Sequence, residues 1–289
     1  MFYGCYPDHG TDQATGTNTE ELKNQKLYYH VLGTSQTDDV MCVEFADHPK
    51  YMIGWPDLSE CGRYLFIKPS QDCKYNLLYY VDLEKSAGDG ITKKFDLIPI
   101  VEKFEADIDF VTNVGQKCVF HTNKGAEKFK LVTIDMNDPS ESKWTDLVPE
   151  SDDKLEWACG VAGDKMITCY MQHVKNTLQL RSLSTGEVIY NFKLDVGSIV
   201  GFSGELKLKE MFYKFSSPIT PATMFHVDLT QSTPVSKVHI ETKLAGFDSS
   251  QFRVEQVCFN IEYFYIHLFN FFIFRFFIRP KMEPRFPCS

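Results

Sequence analysis

Apolar residues in this chain fall into short runs that alternate with polar positions, the period of a pleated strand, and helical spacing is scarce. One such run recurs. Leu27-Tyr28-Tyr29-His30-Val31, Leu78-Tyr79-Tyr80-Val81-Asp82, Lys130-Leu131-Val132-Thr133-Ile134-Asp135, Thr177-Leu178-Gln179-Leu180-Arg181 and Met224-Phe225-His226-Val227-Asp228 follow one another at intervals of about 47 to 52 residues. Each has a β-rich partner upstream: Met1 to Tyr6, Gly62 to Ile67, Gln116 to His121, Lys165 to Tyr170 and Glu210 to Phe215. Three of these partners begin at a turn-prone glycine, Gly62, Gly115 or Gly163, as strands entered from a hairpin do. Further β-rich stretches, such as Ile108 to Thr112, Glu156 to Val161 and Ser198 to Phe202, bring the count to about four short strands per repeat.

Four strands per unit of about 50 residues, with Gly, Asn, Asp and Ser at the joints, is the arithmetic of propeller blades. A β-sandwich is the alternative, but its strands have no reason to keep one interval through five copies. The chain is therefore expected to be all-β, an incomplete β-propeller over residues 1–252. The first of its five units is expected to be cut open, because the chain begins inside it.

Size and charge narrow the classes of function. With 289 residues and 43% hydrophobic content the chain can bury a substantial core, and a formal net charge of −9 opposes nucleic acid and anionic membranes. Nine cysteines stand far apart, none of them in a C-x-x-C pair. The N-terminal residues show no signal-peptide pattern and no Asn-X-Ser/Thr acceptor occurs. Free thiols in a reducing, cytoplasmic compartment are the expectation.

Candidate chemistry is sparse. No G-x-S-x-G nucleophile turn is present, and Gly201-Phe202-Ser203-Gly204 reads as a hairpin turn. The eight histidines stand singly, without H-E-x-x-H or any other metal-ligand spacing. No phosphate loop and no G-x-G-x-x-G string occurs, so no cofactor is expected. The paired acids Asp38-Asp39, Asp152-Asp153 and Glu20-Glu21 read as solvated loops. Cys73 lies in the polar loop Gln71-Asp72-Cys73-Lys74, where position alone makes it an incidental thiol.

Four strings carry a resemblance: QKLYYHVLGT (25–34), ESKWTDLVPE (141–150), HVKNTLQL (173–180) and DVGSIVGFSG (195–204). They resemble the propeller of the prolyl oligopeptidase family, in register from Met1 to about Phe259. The resemblance implies a cytosolic serine peptidase that cleaves short peptides after proline. In it a seven-bladed propeller caps an α/β-hydrolase domain and admits only small peptides. On that pattern the chain holds about five of seven blades. It lacks the N-terminal segment and stops before the hydrolase domain, so no residue inherits the roles of the catalytic Ser, Asp and His. The chain by itself is expected to be inactive. Its expected partners are that missing domain and, through the intact enzyme, short proline-containing peptides.

Two positions match family residues of the substrate cavity. Met52 matches a Met that lines it, although the adjacent family Trp is Tyr51 here, and Cys73 matches a Cys whose modification slows the enzyme. Without the resemblance Met52 reads as core packing. A family Arg that contacts substrate is Ser70 in this chain, and Lys68 nearby is a partial substitute without the guanidinium fork. A different expectation, from another class, is a standalone propeller that binds a protein partner.

Residues 253–289 open as an interdomain segment and pass into a tail outside the family pattern, with seven Phe between Phe264 and Phe277. As a membrane span, Ile261 to Ile278 is short and carries Glu262, His267, Asn270 and Arg275. Translated non-coding or frame-shifted sequence accounts for it better, since Phe, Ile, Tyr and Asn are residues of AT-rich codons.

Overall fold

The structure, a computed structural model, describes residues 1–7, 22–88, 90–243, 245, 246, 248, 251–260 and 272–280. The chain divides into two compact units, Met1–Glu150 and Ser151–Ser289.

The first unit opens with a three-stranded antiparallel sheet, β1 (Phe2–Cys5), β2 (Lys26–Tyr29) and β3 (Val40–Glu44), paired in that order. Six strands follow: β4 (Met52–Ile53), β5 (Asp57–Leu58), β6 (Tyr64–Ile67), β7 (Pro69–Ser70), β8 (Leu78–Asp82) and β9 (Ile98–Val101). Strands β5, β6, β8 and β9 make a four-stranded meander, while β4 pairs with β7 as a separate two-stranded ribbon. A further four-stranded sheet comprises β10 (Ile108–Val114), β11 (Lys117–Thr122), β12 (Lys130–Asp135) and β13 (Thr145–Val148).

The second unit repeats the arrangement twice. Its first meander is β14 (Lys154–Val161), β15 (Lys165–Gln172), β16 (Lys175–Ser182) and β17 (Val188–Phe192). Its second is β18 (Ser198–Gly204), β19 (Glu210–Ser217), β20 (Thr220–Asp228) and β21 (Ser236–Ile240). Strands β22 (Phe252–Asn260) and β23 (Phe272–Pro280) then form an antiparallel pair. The aromatic tail shows no strand period in its sequence, yet β23 lies in it. The rest of the tail, 261–271 and 281–289, lies outside the described residues, as do Glu20 and Glu21.

Packing follows from the two-residue period of a strand. In β6 all four residues are buried, and the two faces serve different sheets. Tyr64 and Phe66 join Ile108, Cys118, Phe120 and Val132 of the next sheet, whereas Leu65 and Ile67 join Leu27, Cys42 and Val43 of the preceding one. A strand buried on both faces in this way reads as the continuous apolar run Tyr-Leu-Phe-Ile. In the second unit Ile167, Cys169, Leu178 and Leu180 meet Met211, Tyr213, Phe215 and Val227. Neighbouring sheets thus share one apolar layer, which is how a blade buries the face it cannot cover alone.

The turns behave as their glycines require. Gly62, Gly115 and Gly163 have φ of 73°, 59° and 79°, a region closed to most side chains. The expected turn at Gly201 to Gly204 is not one: these residues belong to β18, and the turn follows at Glu205 to Lys209. Gly204 serves close packing instead, since a Cβ there would meet Phe202 and Val161 at 3.0 Å.

A side-chain amide just before a strand or near its start clasps the next element in three places. Gln25 Oε1 accepts the backbone N–H of Ile53 at 2.6 Å, Asn76 Oδ1 that of Ile108 at 2.9 Å, and Asn176 Oδ1 that of Ile199 at 2.7 Å. Asn76 and Asn176 add a second bond, from their own N–H to Ala106 O and Gly197 O. Each amide satisfies a backbone donor where one sheet hands over to another.

Candidate functional site

Of the two family-matched positions, Met52 lies in the β4–β7 ribbon and Cys73 lies three residues beyond it. Met52 pairs with Ser70 and Ile53 with Pro69. Met52 is 37% exposed, which corrects the reading of it as core; two residues of strand end at Gly54 before any second face is covered. Beyond Ser70 a bridge to Asn76 closes a five-residue loop. Asp72 Oδ1 accepts the N–H groups of Lys74 at 2.8 Å and Tyr75 at 3.3 Å, and this turn holds Cys73 outward as an exposed free thiol.

The loop borders an open groove of about 380 Å³ whose walls include Trp55, Asp57, Lys68, Ser70, Cys73, Asp107 and Asp109. Lys68 Nζ donates to Asp109 Oδ1 at 2.5 Å and lies 2.9 Å from Asp57 Oδ2, an ion-pair contact off hydrogen-bond alignment. Burial pushes the Lys68 ammonium down, but the two carboxylates outweigh it and hold it above the usual lysine value. Lys68 therefore offers little free charge to a ligand and does not replace an arginine at Ser70. Asp107 moves the other way: burial and then the Asp109 charge push its carboxyl up, against the pull of Lys68.

Other polar clusters were hidden from the sequence reading. Asp39, read as solvated, has a side chain only 2% exposed. Tyr3 O–H donates to its Oδ2 at 2.5 Å, and His30 Nδ1 lies 2.6 Å from its Oδ1, because β1, the end of β2 and the start of β3 converge there. His226 Nε2 meets Glu210 Oε2 at 2.8 Å across β19 and β20. Neither pair hydrogen-bonds a serine or cysteine among the described residues, so neither forms a nucleophilic triad. Among the described residues no group of three or more His, Cys, Asp or Glu is arranged to hold a metal ion, and no helix is long and apolar enough to cross a membrane.

A family model described as "Prolyl oligopeptidase, N-terminal beta-propeller domain" matches residues 1–238. The chain belongs to the prolyl oligopeptidase family. The four-stranded meanders are blades of its propeller, and the fold is an incomplete propeller. Curated relatives agree: a prolyl endopeptidase of Elizabethkingia miricola is 28% identical over 259 residues, covering 89% of this chain and 34% of that protein. The dual function macrocyclase-peptidase POPB of Amanita bisporigera is 29% identical over 238 residues, covering 81% and 32%. Prolyl oligopeptidase B from Galerina marginata superposes with a TM-score of 0.81 at 25% identity, covering 96% of this chain and 37% of that one. The same enzyme has been solved bound to a 35mer hydrolysis and macrocyclization substrate, with the same score and coverage. The chain thus spans about a third of the length of its relatives, and the match is to their propeller and not to their hydrolase domain.

Proposed function

We propose that this prolyl oligopeptidase propeller gates a serine peptidase. It admits short proline-containing peptides to an α/β-hydrolase domain, and Met52 and Cys73 line the passage. The observation that carries this reading is the groove beside Cys73, within a sheet succession that matches the family's propeller over residues 1–238. Met52 is tied to it through Ser70, its partner across the β4–β7 ribbon and one of the groove's lining residues. Support for peptide as the ligand comes from the Galerina marginata relative, whose structure holds a peptide substrate. A reducing, cytoplasmic setting fits the described cysteines, seven of which are free thiols.

Thiol protection tests the reading. Iodoacetamide labelling of Cys73 is expected to slow several-fold when a short Gly-Pro peptide saturates the chain, while Cys5 and Cys61, also exposed, label at an unchanged rate. Equal labelling of Cys73 with and without peptide removes it from the passage.

A further inference from the structure

The groove beside Cys73 carries more negative than positive charge. Of the ionisable side chains on its walls four are carboxylates, Asp57, Asp72, Asp107 and Asp109, and two are ammonium groups, Lys68 and Lys74. The imbalance leaves a net charge of −2. Lys68 is already committed to Asp109 and Asp57, and Lys74 Nζ stands 4.6 Å from the centre of the Tyr75 ring. Neither Asp72 nor Asp107 has a cationic partner within ion-pair distance among the described residues. Burial, and after it the Asp109 charge, pushes the Asp107 carboxyl up.

Trp55 stands on the same wall and is 77% exposed. An indole is the strongest aromatic partner for a cation, and burial is its usual state in a folded domain. An exposed indole beside uncompensated carboxylates makes a surface complementary to one kind of group: a positive charge on a chain with some apolar length, as in lysine, arginine or a peptide amino terminus. A carboxylate ligand would meet like charge from two directions. A purely apolar ligand would leave Asp107 and Asp72 less hydrated and still unpaired.

We propose that this groove selects peptides bearing a positive charge, with Trp55 stacking against the cationic group and Asp107 and Asp72 balancing it. The proposal rests on the peptide-gating reading and adds a preference to it. Because the groove is open, the attraction is screened by salt.

Three end-capped fluorescent hexapeptides with one Ala-Pro core, flanked on each side by two Lys, two Gln or two Glu residues, separate the alternatives when titrated into the full chain by anisotropy. The Lys peptide is expected to bind about tenfold more tightly than the Glu peptide at low salt, the gap narrowing as salt rises. Trp55→Ala is expected to weaken the Lys peptide several-fold, with Trp55→Phe restoring part of the loss. Asp107→Asn is expected to weaken the Lys peptide and leave the Gln peptide unchanged, with circular dichroism checking the fold of each variant. Equal affinity for all three peptides overturns the charge preference and leaves peptide gating standing. Lys-peptide binding that is undiminished in correctly folded Trp55→Ala and Asp107→Asn variants also overturns it, by placing the peptide elsewhere. Failure of all three peptides to bind removes the peptide-gating reading at this groove, and the preference with it.

Discussion

Phe66 has no exposed surface and packs on two other phenylalanine rings, stacking on Phe110 at a centroid distance of 4.9 Å and meeting Phe120 edge-on at 5.2 Å. Phe66→Ala is expected to cost about 3–5 kcal/mol, because the rings around it cannot collapse into the space, and a urea midpoint that falls at unchanged slope measures it. Asp82 carries the acid sensitivity of the same sheet. Arg63 donates to both of its oxygens, at 3.1 and 2.8 Å, and holds its carboxyl below the ordinary carboxylate value. On acidification the unfolded chain takes up the proton first. The stabilisation is therefore complete above the ordinary value and is lost as pH falls through the depressed one. Asp82→Asn is expected to flatten the fall in urea midpoint below about pH 4 relative to the parent chain. Thiols divide by burial: Cys42 is pushed up to about 11, Cys118 and Cys169 to about 12. Burial also opposes ionisation of Cys61, but donors from Ser59, the Arg63 backbone and Asn113 outweigh it and hold the thiol below its usual value. Native alkylation is expected to modify Cys5, Cys61 and Cys73 and spare those three buried thiols, and Asn113→Ala to slow Cys61. Mass spectrometry of peptides after timed quenching reads both outcomes. The sequence showed Cys73 and Met52 only through resemblance, and it could not show Asp39 or the Lys68–Asp109 pair. Asp109 comes from a strand 41 residues along the chain, and only packing of successive sheets brings it to the lysine.

Strands were the most legible elements, because alternation and a steady interval mark them independently. Leu78–Asp82 and Lys130–Asp135 lie where the repeat puts them. The last strand of each meander was harder to see: Val188–Phe192 buries only Phe192, and with one covered side chain it leaves almost no apolar signature. The β4–β7 ribbon was invisible for a related reason, since two residues per strand cannot show a period. The amide clasps left no pattern either, because Gln25, Asn76 and Asn176 look like ordinary loop residues until their partners are known. Asn76 makes the clearest test. It is 6% exposed, accepts from Ile108 N–H and donates to the carbonyls of Leu77 and Ile108. Asn76→Ala strands a buried donor and two acceptors and is expected to cost about 2–3 kcal/mol by urea unfolding, whereas an exposed amide such as Gln231→Ala changes it by under about 0.5.

At the scale of the whole molecule, the match to a propeller and to no hydrolase domain sets the expected activity. The 289-residue chain is expected to release no chromophore from a Gly-Pro reporter peptide, and turnover that is abolished by a serine-hydrolase inhibitor would contradict this. The fold is retained against Prolyl oligopeptidase B from Galerina marginata at a TM-score of 0.81 although three residues in four differ, 25% being identical. The clasps suggest how so much change is absorbed. Gln25, Asn76 and Asn176 recognise a peptide N–H and not the side chain that happens to stand beside it. Every amino acid except proline presents that group, so the grip imposes almost no vocabulary on the strand it holds. Mutational drift can rewrite the neighbouring blade freely at Ile53, Ile108 and Ile199, within the limits of apolar fit, and only an imino acid at those positions breaks the join.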